Sequence, residues 1–139
     1  MRTEKSIRKT EMRVLYISHL LERSGWGQAS RDILHAMDAA QIDVVPRVVQ
    51  ANNPTHIPDE RMQELLAKPS QGCNVVIQHL LPHLYQYSGY FKKNIGLYYT
   101  ETGNLNYTPY FSYLNMMDEL WVPSQKMYDD AIDRGVEIG

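Results

Sequence analysis

The chain has 139 residues, a single cysteine and a formal net charge of -2 at pH 7. That length suits one domain able to bury a real core, and the near-neutral charge lays no basic footprint for nucleic acid. No apolar run approaches the roughly 20 residues that a bilayer span requires; the lone Cys73 excludes an internal disulfide and suits a cytoplasmic setting.

Residues 1–11 carry charges of both signs around no apolar centre, so they read as a flexible leader and not as a secretory signal. Residues 12–139 read as one domain. Arg13 to His19 is a near-continuous apolar run, the pattern of a strand covered on both faces. Ser24-Gly25-Trp26-Gly27-Gln28-Ala29-Ser30-Arg31 follows as a glycine turn leading into a helix. Strand, glycine turn and helix in that order gather free backbone N–H groups at the positive end of a helix dipole, an anion site most often used for phosphate. The helix is expected from Ala29 to Ala40, with Ala29, Ile33, Ala36, Met37 and Ala40 on its buried face. Asp43 to Val49 is short and β-branched, a second strand in which Pro46 marks an edge position or a bulge.

Turn residues fill Ala51 to Pro58, and Asp59 to Lys68 is a short helix burying Met62, Leu65 and Leu66. The third strand runs from Asn74 to Gln78, with His79 at its C-terminal end and a loop to Gly89. The fourth runs from Asn94 to Tyr99, with Thr100-Glu101-Thr102 at its end. Thr108-Pro109 has the form of an N-cap followed by proline at the first helical position, opening a helix that buries Tyr110, Tyr113, Leu114 and Met117. Glu119 to Val122 is the fifth strand. Ser124 then caps a last helix that runs to about Arg134 and stops at Gly135.

Strands alternating with helices predict an α/β fold: a Rossmann-like, three-layer α/β/α arrangement around a mostly parallel sheet. Ligands of such sheets bind outside the carboxyl ends of the strands. Gly25 to Gln28, His79, Glu101 and Ser124 all fall just after expected strands, so they share one rim. The residues leave several chemistries open there and remove others. Gly25-x-Gly27-x-x-Ser30 approaches a dinucleotide fingerprint, but no acid stands at the end of the second strand to hold a ribose. No P-loop pattern occurs. His79 and His83 are spaced as two metal ligands on a helix, yet Pro82 interrupts and no third ligand is evident, so no metal is expected. His79 reads equally as a ligand donor or as a satisfied rim histidine, Glu101 equally as a base or as part of a surface turn, and Cys73 as a loop residue. Taken alone, the glycine stretch also reads as a plain strand-to-helix turn.

Four stretches in order carry a resemblance: Ser24 to Arg31, Val76-Ile77-Gln78-His79-Leu80-Leu81-Pro82, Asn94 to Thr102, and Met117 to Ser124. Together they resemble the N-terminal domain of a retaining GT-B glycosyltransferase, family 4-like (group 1). The resemblance spans roughly Met12 to Val136. It implies transfer of a hexose from a nucleotide-sugar to the hydroxyl of a glycan or glycolipid acceptor. It implies no cofactor and no metal, the nucleotide-sugar being a substrate. Gly25, Trp26, Gly27 and Gln28 would face an interdomain cleft near the donor diphosphate. His79 would touch the transferred sugar, Thr100, Glu101 and Thr102 would line the acceptor side, and Ser124 would shape the rim. His79 and Glu101 are the catalytic candidates.

In that family the donor is held mainly by a C-terminal domain carrying an E-x7-E pair. No such pair occurs here, so that domain is expected in cis or in trans, and the isolated chain is expected to be inactive as a transferase. The cleft face around Trp26 would then be exposed and prone to self-association. Two other readings stand beside this one: a non-catalytic Rossmann-like binding or scaffold module that pairs with a separate domain, and a free-standing nucleotide-binding protein of the same fold.

Overall fold

The structure, a computed structural model, describes residues 12–49, 56–97 and 109–122, the last without the side chains of 109–111. The elements are β1 (Arg13–Ser18), α1 (Gly25–Ala39), β2 (Asp43–Val48), α2 (Glu60–Leu66), β3 (Val75–His79), a 3-10 turn (Pro82–Leu84), β4 (Lys93–Leu97), α3 (Pro109–Met116) and β5 (Glu119–Trp121). The five strands form one sheet in the order β2-β1-β3-β4-β5, and every pairing is parallel. This is a Rossmann-like α/β fold. From β1 the chain steps outward to β2, then crosses back to β3 on the other side of β1. Strand order therefore reverses between β1 and β3, where doubly wound sheets open their ligand crevice.

Each element forms for a local reason. Pro46 cannot donate to a ladder, and β2 is an edge strand that pairs only with β1. Asp59 caps α2 by accepting from the Met62 amide at 2.8 Å, and Met62 and Leu65 are the buried face of that helix, as expected. Gly72 turns the chain toward β3 with φ +83, a conformation that a β-carbon strains. Pro109 is the first residue of α3, whose Leu114 is buried; Met117 is buried one residue beyond the helix.

Two apolar clusters divide the interior. One joins Val14, Tyr16, Val44, Val75 and Ile77 of the sheet to Leu34 of α1 and to Met62 and Leu65 of α2. The other sets Leu80, Tyr85, Leu114 and Met117 against Ile17 and Leu120. Each aliphatic side chain buried in this way contributes about 1.5–3 kcal/mol.

The loop from Leu80 to Lys92 is shaped by two buried amides. Gln78 donates to the Gln86 carbonyl at 2.6 Å and accepts from the Gln86 amide at 3.0 Å. Asn94 likewise accepts from the Ser88 amide at 3.1 Å and donates to the Ser88 carbonyl at 2.9 Å. Pro82 begins the 3-10 turn in this loop, so His83 is exposed and does not share a helix face with His79.

Two expectations need correction. The glycines do not form a turn ahead of α1. Ser24 is its N-cap, accepting from the Gly27 amide at 3.3 Å, and the helix begins at Gly25 instead of Ala29. The buried stripe of α1 is Gly27, Ser30, Arg31 and Leu34, with Ala36 and Ala40 exposed. Polar residues hold that stripe because its first two turns lie against polar groups of the sheet. Smaller corrections concern boundaries: β2 ends at Val48, β3 runs to His79, and β4 starts at Lys93. The expected last helix lies outside the described residues. Among the described residues, no helix is long and apolar enough to cross a membrane.

Candidate functional site

The site lies at the carboxyl ends of β1 and β3. The parallel register sets Ser18 beside His79 and Tyr16 beside Ile77, so Tyr16, Ser18 and His79 share one face of the sheet. α1 covers that face, and its stripe brings Ser30 to the same point. The Tyr16 hydroxyl is 2.8 Å from His79 Nδ1, and Ser30 Oγ is 3.5 Å from the same nitrogen. Tyr16, Ser18, Ser30 and His79 are all fully buried.

Burial sets the protonation of this group. A charged imidazole there would lose its water, so burial, and secondarily the nearby His19, pushes His79 down to about 4. The ring is neutral at pH 7. Burial also pushes Tyr16 up to about 12, against the opposing pull of hydrogen bonds with Ser18 and Ser30, so the phenol keeps its proton.

Trp26, in the first turn of α1, leans on His79 with ring centroids 5.4 Å apart and meets His19 edge-on at 6.2 Å. His19 in turn lies 3.1 Å from Glu22. Beneath the turn, Arg31 donates to the carbonyls of Leu20 at 3.1 Å and Glu22 at 2.6 Å, which fixes the path from β1 to α1. Gly27 is required by this path, because a β-carbon there would stand 1.9 Å from the Glu22 carbonyl oxygen. Gly25 has open space around it.

The expected site residues therefore separate. Trp26, Gly27 and His79 converge at the β1/β3 crevice. Gly25 and Gln28 are exposed on the outer side of the helix start, where Gln28 donates to Asp32 at 2.9 Å. Thr100, Glu101, Thr102 and Ser124 lie outside the described residues. Tyr16 and Ser18, which residue patterns did not single out, join the site, together with Ser30 and Arg31 from the end of the glycine stretch. One signal was present: Ser30 and Arg31 stand three and four positions after Gly27, on the face that turns inward. Cys73 lies at the opposite, amino end of β3, buried, with its thiol pushed up by burial, so it has no thiolate character near neutral pH. Among the described residues no three metal-binding side chains come together.

The carboxyl end of the sheet thus gathers a buried neutral imidazole, an indole ring beside it and the start of a helix. A doubly wound, Rossmann-like parallel α/β domain is the class that the fold defines. No family model matches the chain, and no curated protein or solved structure matches it significantly.

Proposed function

We propose that this chain is the acceptor-side, N-terminal domain of a GT-B glycosyltransferase. It moves a hexose from a nucleotide-sugar to an acceptor hydroxyl and acts together with a C-terminal donor-binding domain. The observation that carries the reading is the meeting of Trp26 and His79 at the β1/β3 switch point. Two of the four stretches that resemble that family, far apart in the chain, thereby reach one crevice on the rim where such sheets bind ligands.

In this role the domain supplies position more than reactive groups. The departing diphosphate assists removal of the acceptor proton, and the protein orients the partners and favours the developing charge. His79 is neutral at pH 7, so it serves as a hydrogen-bonding contact and not as a cation for the diphosphate. His79 is completely buried with the Trp26 ring 5.4 Å away, so the ring must be uncovered before a sugar can reach it.

The test joins or mixes the chain with the C-terminal domain encoded at the same locus and assays transfer and hydrolysis with UDP- and GDP-sugars. Activity is expected only with both domains present, and it should fall strongly in Gly27→Val and His79→Ala. Silence from a folded complex would overturn the reading in favour of a binding module.

A further inference from the structure

The Tyr16–His79 contact fixes more than a distance. A neutral imidazole carries one hydrogen on one of its two nitrogens, and the hydrogen bond made by one nitrogen decides which. Beside Nδ1 the fold sets two hydroxyls, Tyr16 at 2.8 Å and Ser30 at 3.5 Å, and Ser18 stands next to His79 in the strand register. All belong to fully buried residues. If Nδ1 carried the hydrogen, the weakly basic phenol oxygen would have to accept it. With a bare Nδ1, the most acidic hydroxyl of the group, the phenol, meets its most basic acceptor. The serine hydroxyls can then donate to the phenol oxygen.

We propose that Tyr16 is a positioning residue whose hydroxyl donates to His79 Nδ1 and so holds the imidazole as its Nε2–H tautomer. The ring then acts as a donor at Nε2 and spends its lone pair inside the fold. It offers a ligand no basic nitrogen for taking a proton. Its complement is an oxygen that accepts, such as a sugar hydroxyl or ring oxygen. The identity of that ligand rests on the reading proposed above; the tautomer does not.

Nitrogen-15 NMR of the histidine-labelled chain at pH 7 tests the assignment. His79 is identified among the five histidines by its loss in His79→Gln. The expected spectrum shows an unprotonated Nδ1 and a protonated Nε2. In Tyr16→Phe that single pattern should be lost, giving exchange between tautomers, whereas Ser30→Ala should retain it. An Nδ1–H or doubly protonated ring in the unaltered protein would overturn the proposal, as would a Tyr16→Phe spectrum identical to it. The unaltered spectrum decides even if Tyr16→Phe fails to fold. The two readings fail separately: a silent transferase assay with an Nε2–H ring removes the glycosyltransferase and leaves the tautomer, and an active enzyme with an Nδ1–H ring does the reverse.

Discussion

The two ends of the sheet, on the face shared with α1, are built in opposite ways. At the carboxyl end, Tyr16, Ser18, Ser30 and His79 are packed without exposure, and the Tyr16 and Ser30 hydroxyls lie 2.8 and 3.5 Å from His79 Nδ1. At the amino end the same face opens into a cavity of about 420 Å³ lined by Val14, Met37, Val75, Ile77 and Ile95. Lys93 and Glu119 pair at its edge beside the half-exposed Trp121. The same strands supply both ends. Apolar residues satisfy their stretch of sheet by burial alone and tolerate loose space. The polar end requires every group in place, because a buried polar atom without a partner costs about 1–3 kcal/mol. Tight geometry at the crevice and slack at the groove is therefore the contrast to test.

The largest effect is expected at Gly27. One added carbon meets backbone, the Glu22 carbonyl oxygen at 1.9 Å, so the chain path itself must move. Gly27→Ala should cost about 3 kcal/mol or more, read as a lower urea midpoint. A midpoint unchanged from the parent would show that the crevice is not tight.

Next comes the pH response of His79. Its folded pKa, about 4, lies below the ordinary 6.5. Between those values the unfolded chain binds a proton that the folded one refuses. The contribution is full above pH 6.5 and is lost as pH falls toward 4, by about 3 kcal/mol at most. Urea unfolding at pH 7 and pH 4.5 should show His79→Gln losing less stability than the parent over that interval.

The groove should respond weakly. Val75→Ile adds one carbon beside open volume, and a change below about 1 kcal/mol is expected by the same denaturation. A cost near that of Gly27→Ala would erase the contrast. The smallest effect is expected at Gly25, where nothing lies within 4 Å of an added β-carbon. Gly25→Ala should raise stability by about 0.5–1 kcal/mol through helix propensity and a less free unfolded chain, visible as a slightly higher melting temperature.

These cases also show where residue patterns were informative. The apolar runs at Arg13 to His19 and Asn74 to Gln78 identify strands; β3 is buried along its whole length, whereas β1 alternates half-buried and buried positions. Pro46 identified an edge because it lacks the N–H that a central strand must donate. The spacing of Met62, Leu65 and Leu66 identifies the helix at Asp59 to Lys68, and the structure adds that Asp59 is its cap, with the helix starting at Glu60. Two glycines resemble a turn in the sequence, yet Ser24 is the N-cap and α1 begins at Gly25. Of the face expected for that helix, Ile33 and Met37 do pack against the core, whereas Ala36 and Ala40 are exposed. In the fold Ser30 and Arg31 hold the inward positions, where sheet hydroxyls and loop carbonyls take the place of apolar neighbours.

By itself, then, the sequence determined the alternation of strands and helices, the parallel α/β class and the rim on which Trp26, Gly27 and His79 fall. Periodicity, caps and prolines are local signals, and each reports on a few neighbouring residues. Only the tertiary structure decided that Tyr16 lies against His79 Nδ1, that Trp26 lies beside the ring, and that Gly27 yields to a carbonyl five residues back in the chain. Those contacts depend on strand register and on how α1 lies across the sheet, which follow from packing the whole domain and not from any short stretch of it.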